Sequence, residues 1–292
     1  MTPDEQALTF RCEGEPLVGV LSGASLTAAR GVLIVVGGPQ YRAGSHRQFT
    51  LLARHLAGEG VPSLRFDYRG MGDSPGAPRT FENVSSDIRC AIDVLFDGVP
   101  SLRDVVIWGL CDAASAALFY AHQDTRVSGV VLLNPWVHTE QGGARVYLRH
   151  YYVRRLFQSG FWRKIGSGEF NVRRTAVGLW RLFVEAVGRQ PGTGQQDSTR
   201  AVDSGNASTV PFPMRMEEGL RRFGGRVLII LSGNDFTAQE FKDLVASSSG
   251  WRRLLASGRV TRHDLAVANH TFGRRDWRDQ VARWTEAWVR SY

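Results

Sequence analysis

The feature that most constrains the fold is a turn of small residues between a short apolar run at 105–108 and a helical pattern. Residues 109–113 read GLCDA, and glycine and alanine leave the room that a sharp strand–turn–helix junction needs. The amino end of the following helix supplies N–H groups for an anion, and its dipole favours a thiolate. The pattern predicts a nucleophilic Cys111, although a lone cysteine after an apolar strand is also commonly a small buried hydrophobic residue.

Length and composition restrict the protein class. A chain of 292 residues suffices for one α/β domain with an insertion, or for two small domains. The three cysteines are far apart and lack metal-ligand spacing, which argues against a disulfide framework and a metal site. The amino terminus lacks the features of a secretory signal, and no apolar run approaches the roughly 18 residues of a membrane helix. We therefore expect a cytoplasmic protein without a transmembrane segment, a metal or a cofactor.

Strand and helix patterns alternate along most of the chain. A hairpin is predicted at 8–12 and 17–22, and further strands are predicted at 31–36, 62–68, 105–108, 127–133, 226–231 and 260–266. Helices are predicted at 46–59, 83–96 and 277–289. Continuous apolar runs are typical of strands that are buried on both faces. The alternation predicts an α/β fold, with a mostly parallel sheet and helices on both faces.

The alternation stops after Trp136. Between Trp136 and Arg215 the chain has twelve basic and five acidic residues, with aromatic side chains interleaved. An insertion between two sheet strands is typical of a cap or lid. We predict a basic helical cap at 137–213 and a core formed by 1–136 and 214–292. A nucleic-acid surface is an alternative reading of the charge, but no nucleic-acid motif is visible, and we expect no such partner.

A nucleophilic thiol needs a base, and the base needs an orienting acid. Asp235 follows the predicted strand at 226–231, and His270 lies in a loop between the last strand and the last helix. The chain order nucleophile, acid, histidine is that of the elbow architecture. We predict that Cys111, Asp235 and His270 form a catalytic triad, with His263 as the rival base. Asp235 alone fits an ordinary turn residue, because Gly-Asn-Asp is turn chemistry.

Two backbone N–H groups are needed to stabilise an oxyanion. Asp112 follows the nucleophile and can donate one of them. The second is expected from the loop after the strand at 31–36. Pro39 in that loop has no N–H group, so the donor is Gln40 or Gly38, and we favour Gln40. Asp67 and Arg69, in the segment DYRGMGDS, are predicted to form a structural charge network without a chemical role.

These motifs resemble the α/β-hydrolase superfamily. The segments VVGGPQYRAGSHRQF, LRFDYRGMGDS, WGLCDAASA and LLNPWVHTE are more narrowly similar to the exosortase A system-associated hydrolases, type 1. That resemblance implies a cytoplasmic bacterial enzyme with a Cys-His-Asp triad. It also implies a link to exopolysaccharide or to the sorting of proteins with a PEP-CTERM tail. Ala113 stands where relatives tend to have glycine, which could tighten the elbow.

A thiol nucleophile suits activated esters and thioesters, through an acyl-thioester intermediate. We predict a hydrolase of a small-molecule or carrier-bound acyl substrate. The alternatives are an acyltransferase with the same triad and a catalytically silent relative that binds a partner. The basic cap suggests an anionic acyl carrier, although a solvated helix face explains the charge equally well. The residues expected to contact substrate are Tyr41, Trp136, Arg154 and Arg155.

Overall fold

The computed structural model describes residues 4–38, 40–137 and 210–292. The strands in these ranges are β1 Glu5–Cys12, β2 Glu15–Ser22, β3 Arg30–Val35, β4 Ser63–Asp67, β5 Asp104–Leu110, β6 Val127–Leu133, β7 Arg226–Ser232 and β8 Val260–Leu265. The helices described are α1 Gln48–Gly58, α2 Ser85–Gly98, α3 Asp112–Tyr120, α4 Phe212–Arg222, α5 Phe236–Ser247, α6 Ser249–Leu255 and α7 Arg275–Val289. Short 3-10 turns lie at Ser45–Arg47 and Ala121–Gln123.

The strands form one sheet in the order β1-β2-β4-β3-β5-β6-β7-β8. The pairs β1–β2 and β2–β4 are antiparallel, and every other pair is parallel. This confirms the predicted α/β architecture. Because β3, β5, β6, β7 and β8 run in the same direction, the loops that follow them lie along one edge of the sheet. Cys111 follows β5, Asp235 follows β7 and His270 follows β8. The two segments that could donate N–H groups to the oxyanion follow β3 and β5.

The central strands carry the core. Side chains such as Val32, Ile107, Val130 and Leu228 have no solvent exposure, as expected for strands covered on both faces. Helix α1 packs against α7, whereas α2 and α4 both pack against α3. The continuous apolar runs in the sequence therefore correspond to the parallel centre of the sheet.

Some boundaries differ from the sequence prediction. Helix α1 begins at Gln48 and not at residue 46, because His46 and Arg47 have positive φ angles of 54° and 60°, which no α-helix accommodates. Helices α5 and α6 follow β7 in a region for which no helix was predicted. Their start signals are side chains, since Asp235 and Ser248 accept hydrogen bonds from N–H groups of the first turns.

The predicted cap lies almost wholly outside the described residues. Residues 138–209 are outside them, so the cap, including Arg154 and Arg155, stays a prediction. Val137 is buried, and α4 spans the predicted boundary between residues 213 and 214, so both flanks join the unit that bears the sheet. Among the helices described, none is long and apolar enough to cross a membrane.

Candidate active site

Cys111 occupies a strained turn between β5 and α3. Its φ and ψ are 63° and −124°, a conformation that a residue with a side chain adopts only when its surroundings impose it. The Cys111 N–H donates to Leu133 O at 2.9 Å, and the Cys111 carbonyl accepts from the Trp136 N–H at 3.2 Å. Strand β6 and the segment after it therefore hold the turn. The half-buried Cys111 lies at the amino end of α3, as the small-residue pattern predicts.

Close packing explains the small residues around Cys111. A Cβ atom on Gly109 would lie 2.6 Å from the backbone of Ala113, so only glycine fits there. A Cβ atom on Gly37 would lie 2.7 Å from Leu110 O, which shows how closely the loop after β3 approaches the turn. The Ala113 methyl group is itself buried.

Asp235 contacts both the first turn of α5 and the imidazole of His270. It is the N-cap of α5, where its carboxylate accepts from the N–H groups of Thr237 at 3.3 Å and Ala238 at 3.1 Å. The same carboxylate lies 2.9 Å from Nδ1 of His270. The same Asp235 side chain can therefore cap a turn, as its local sequence indicates, and orient His270, as the triad prediction requires.

The buried Asn134 fixes the loop that carries His270. Its side-chain N–H donates to His270 O at 3.0 Å, and its side-chain oxygen accepts from Ser232 N at 2.9 Å. Asn134 thus ties the end of β6 to the end of β7 and to the histidine loop. The sequence analysis missed this residue, although its place directly after a buried strand was the available signal.

The imidazole of His270 joins the thiol and the carboxylate. The hydrogen bond to the Asp235 carboxylate is the largest cause that raises the pKa of His270, followed by the hydrogen bond with the Cys111 side chain; burial opposes both, and the net effect raises the pKa to about 10. Because Nδ1 faces Asp235, Nε2 is the ring nitrogen left for the sulfur. The structure brings Cys111, Asp235 and His270 together, with the imidazole between the thiol and the carboxylate.

We expect Asp235→Asn to lower the pKa of His270, because it removes the strongest interaction with the imidazolium. The raised pKa stabilises the folded protein fully below the ordinary value of 6.5, and this stabilisation is lost as pH rises through about 10. The stability difference between the wild type and Asp235→Asn should therefore be largest near pH 6 and shrink towards pH 10. NMR titration of the His270 ring measures the shift directly; coincident midpoints in the two proteins would contradict this account.

His263, the alternative to His270 as the base, packs against α7. His263 lies in β8 and stacks on Trp284 of α7, with ring centroids 4.4 Å apart and planes 10° apart. Burial lowers its pKa. His263 therefore packs against α7 from the strand beyond β7.

The first residues of the loop after β3 contact the turn that carries Cys111. Gly38 N–H donates to the Asp112 carboxylate at 2.9 Å. Burial, partly offset by backbone hydrogen bonds, raises the pKa of this carboxyl group. The Gln40 side chain accepts from Ser45 N at 3.4 Å, and among the described residues no hydrogen bond involves the Gln40 N–H.

The predicted contact residues lie in different surroundings. Tyr41 is about half exposed, at 49%, beside the guanidinium of Arg42. Trp136 donates to the carbonyl of Cys111 and stacks on Phe81, with ring centroids 6.5 Å apart. Phe81 also contacts Phe119 and Phe212, which completes an aromatic cluster that the sequence analysis did not identify.

The prediction of one charge network for Asp67 and Arg69 is wrong. Arg69 binds Asp87 and Glu13, whereas Asp67 binds Arg42. β4 ends at Asp67 and Arg69 lies in the turn beyond it, so the two side chains leave different elements and reach different partners. Asp67 also accepts from the Arg42 N–H at 2.6 Å, so it contacts the loop that carries Gln40. Among the described residues, no group of three His, Cys, Asp or Glu side chains could hold a metal ion.

Comparison with known proteins identifies the fold family. The model of the alpha/beta hydrolase family matches residues 32–289, and no curated protein matches the chain. Among solved structures, the esterase Pf2001 of Pyrococcus furiosus is 15% identical with a TM-score of 0.62, covering 98% of this chain and 94% of that one. Est1E of Butyrivibrio proteoclasticus, solved with ferulic acid, is 13% identical with a TM-score of 0.61, covering 97% and 98%. A hypothetical protein of Pseudomonas aeruginosa is 21% identical with a TM-score of 0.57, covering 98% and 94%. The chain belongs to the alpha/beta hydrolase family.

Proposed function

We propose that the protein hydrolyses an ester or thioester, with Cys111 as the nucleophile and a covalent acyl-thioester as the intermediate. The observation that carries the proposal is the position of the His270 imidazole between the carboxylate of Asp235 and the side chain of Cys111. A protonated imidazole beside a sulfur at a helix amino terminus stabilises the thiolate, which is the attacking form. Esterases among the structural neighbours are consistent with this reaction.

In the first step the sulfur of Cys111 bonds to the acyl carbon, and the bond to the leaving alcohol or thiol breaks. His270 donates its proton to the leaving group, and Asp235 remains ionised and keeps Nδ1 oriented. In the second step neutral His270 takes a proton from water as the water oxygen attacks the thioester. The carboxylic acid leaves, and the thiolate and imidazolium are restored.

The oxyanion formed in each step needs two donors. Asp112 N–H, next to the nucleophile, is one. The Gly38 N–H already donates a hydrogen bond to the Asp112 carboxylate. We therefore favour the Gln40 N–H as the second donor to the oxyanion. The aromatic cluster around Trp136 and Phe81 supports an apolar or aryl acyl group beside the sulfur.

The sequence supports three further proposals. An anionic carrier-bound substrate would use the basic segment with Arg154 and Arg155. Acyl transfer would use the same intermediate, because amines and thiols also attack a thioester. The resemblance to exosortase-associated hydrolases suggests a cytoplasmic role connected with exopolysaccharide or PEP-CTERM sorting.

Intact-mass spectrometry tests the proposal. Rapid mixing with a panel of p-nitrophenyl esters and acyl thioesters should give an acyl adduct that peptide mapping places on Cys111. Decay to free acid indicates a hydrolase, and transfer to an added amine or thiol indicates a transferase. An acyl group found on Cys90 instead would refute the assignment of Cys111 as the nucleophile. No adduct together with no turnover over the whole panel would refute the mechanism and favour a partner-binding role.

A further inference from the structure

The segment DYRGMGDS has no part in the proposed chemistry, yet its first residue holds the loop that carries Gln40. Asp67 ends β4 and is fully buried. One carboxylate oxygen accepts the Arg42 N–H at 2.6 Å, and the other binds the Arg42 guanidinium. The second oxygen also accepts the Asp73 N–H at 3.0 Å. Asp67 therefore binds both the main chain and the side chain at the end of the loop.

A second carboxylate holds the beginning of the same loop, because Asp112 accepts the Gly38 N–H at 2.9 Å. Gln40 lies between these two attachment points. A buried carboxylate that accepts backbone N–H groups is a strong and directional anchor, because charge-assisted hydrogen bonds exceed neutral ones in strength.

Gly37 and Gly72 leave the space that the carboxylates of Asp112 and Asp67 occupy. A Cβ atom on Gly37 would lie 2.2 Å from Oδ1 of Asp112. A Cβ atom on Gly72 would lie 2.4 Å from Oδ2 of Asp67, and Gly72 has a positive φ of 56° that also favours glycine. The chain therefore keeps open the space that each carboxylate occupies.

We infer that Asp67 and Asp112 are positioning residues that hold the loop of residues 38–42 at both ends and so place the Gln40 N–H for the oxyanion. The inference rests on the proposed function. Neither carboxylate reacts with substrate. Their contribution is geometric, and a displacement of about 1 Å in a catalytic group can cost about 100-fold in rate.

The test compares Asp67→Asn with Asp73→Asn. Asp73 binds the same Arg42 guanidinium at 2.6 Å, but its carboxylate is mostly exposed, and among the described residues it accepts no backbone N–H group of the loop. We expect Asp67→Asn to slow acylation of Cys111 by p-nitrophenyl acetate by about 10- to 100-fold. Alkylation of Cys111 by iodoacetamide needs no oxyanion donor and should stay within about twofold. Asp73→Asn should leave both rates within about twofold of the wild type.

Hydrogen exchange supplies a readout that does not depend on catalysis. Amide exchange in peptides covering residues 38–45 should accelerate in Asp67→Asn, while exchange in β6 stays unchanged. If Asp67→Asn fails to fold, Arg42→Met weakens the same attachment and leaves the buried carboxylate in place. Asp112→Asn, which keeps an acceptor oxygen, should acylate faster than Asp112→Ala.

The outcomes distinguish the positioning role of Asp67 from the proposed hydrolase function. Equal losses of acylation and alkylation, faster exchange throughout the protein, or unchanged acylation in Asp67→Asn would overturn the positioning role. A wild-type protein that forms no acyl adduct would refute the proposed function, while the exchange experiment would still show whether Asp67 holds the loop.

Discussion

Replacing Cys111 with alanine should lower the turnover of an activated ester by at least about 10³-fold, because the variant can form no acyl-thioester. The fold should tolerate the change, since alanine is smaller than cysteine and the three backbone hydrogen bonds of residue 111 are unaffected. Steady-state kinetics with p-nitrophenyl acetate measures the loss, and thermal unfolding confirms that the protein is folded.

Cys90→Ala is the matched control. Cys90 is a partly buried cysteine on α2, and its thiol lies beside Cys12 at the end of β1. Its replacement should leave turnover within about twofold. If Cys111→Ala retained wild-type turnover on every ester that the wild type cleaves, another group would have to be the nucleophile.

Replacing His270 with alanine should reduce turnover by about 10²- to 10⁴-fold, the usual contribution of a general acid–base residue. The imidazole protonates the leaving group in the first step and activates water in the second, so both steps should slow. Stopped-flow release of p-nitrophenol followed by product formation separates the two steps.

His263→Ala tests the alternative base. Its stacking on Trp284 predicts a loss of stability without a comparable loss of turnover per folded molecule. A larger kinetic loss in His263→Ala than in His270→Ala would transfer the acid–base role to His263.

The sequence was sufficient to predict the sheet, and it led to the prediction of a triad at one edge of that sheet. Apolar runs identify buried parallel strands, and parallel strands bring their carboxyl ends to one edge, so Asp235 and His270 could be placed near Cys111 from their order alone. The contact at 2.9 Å between Asp235 and His270 is consistent with that reasoning.

Side-chain partners over long sequence separations could not be predicted. Asn134 and Asp67 each follow or end a strand in the way many structural residues do. Their importance depends on which backbone groups of distant loops they reach, and neither periodicity nor local spacing contains that information. The positive φ angles of His46 and Arg47 move the start of α1 to Gln48, and they likewise depend on the tertiary environment.

The two hydrogen bonds of Asn134 have a consequence for folding. They join residues 136 and 98 positions apart along the chain, so they form only after β6, β7 and the last loop have come together. Contacts of such high sequence separation form late, because the chain must first lose the entropy of closing long loops. During refolding, rapid reaction of Cys111 with an electrophile should therefore appear only with the last structural phase, which makes the thiol a natural reporter of completed folding.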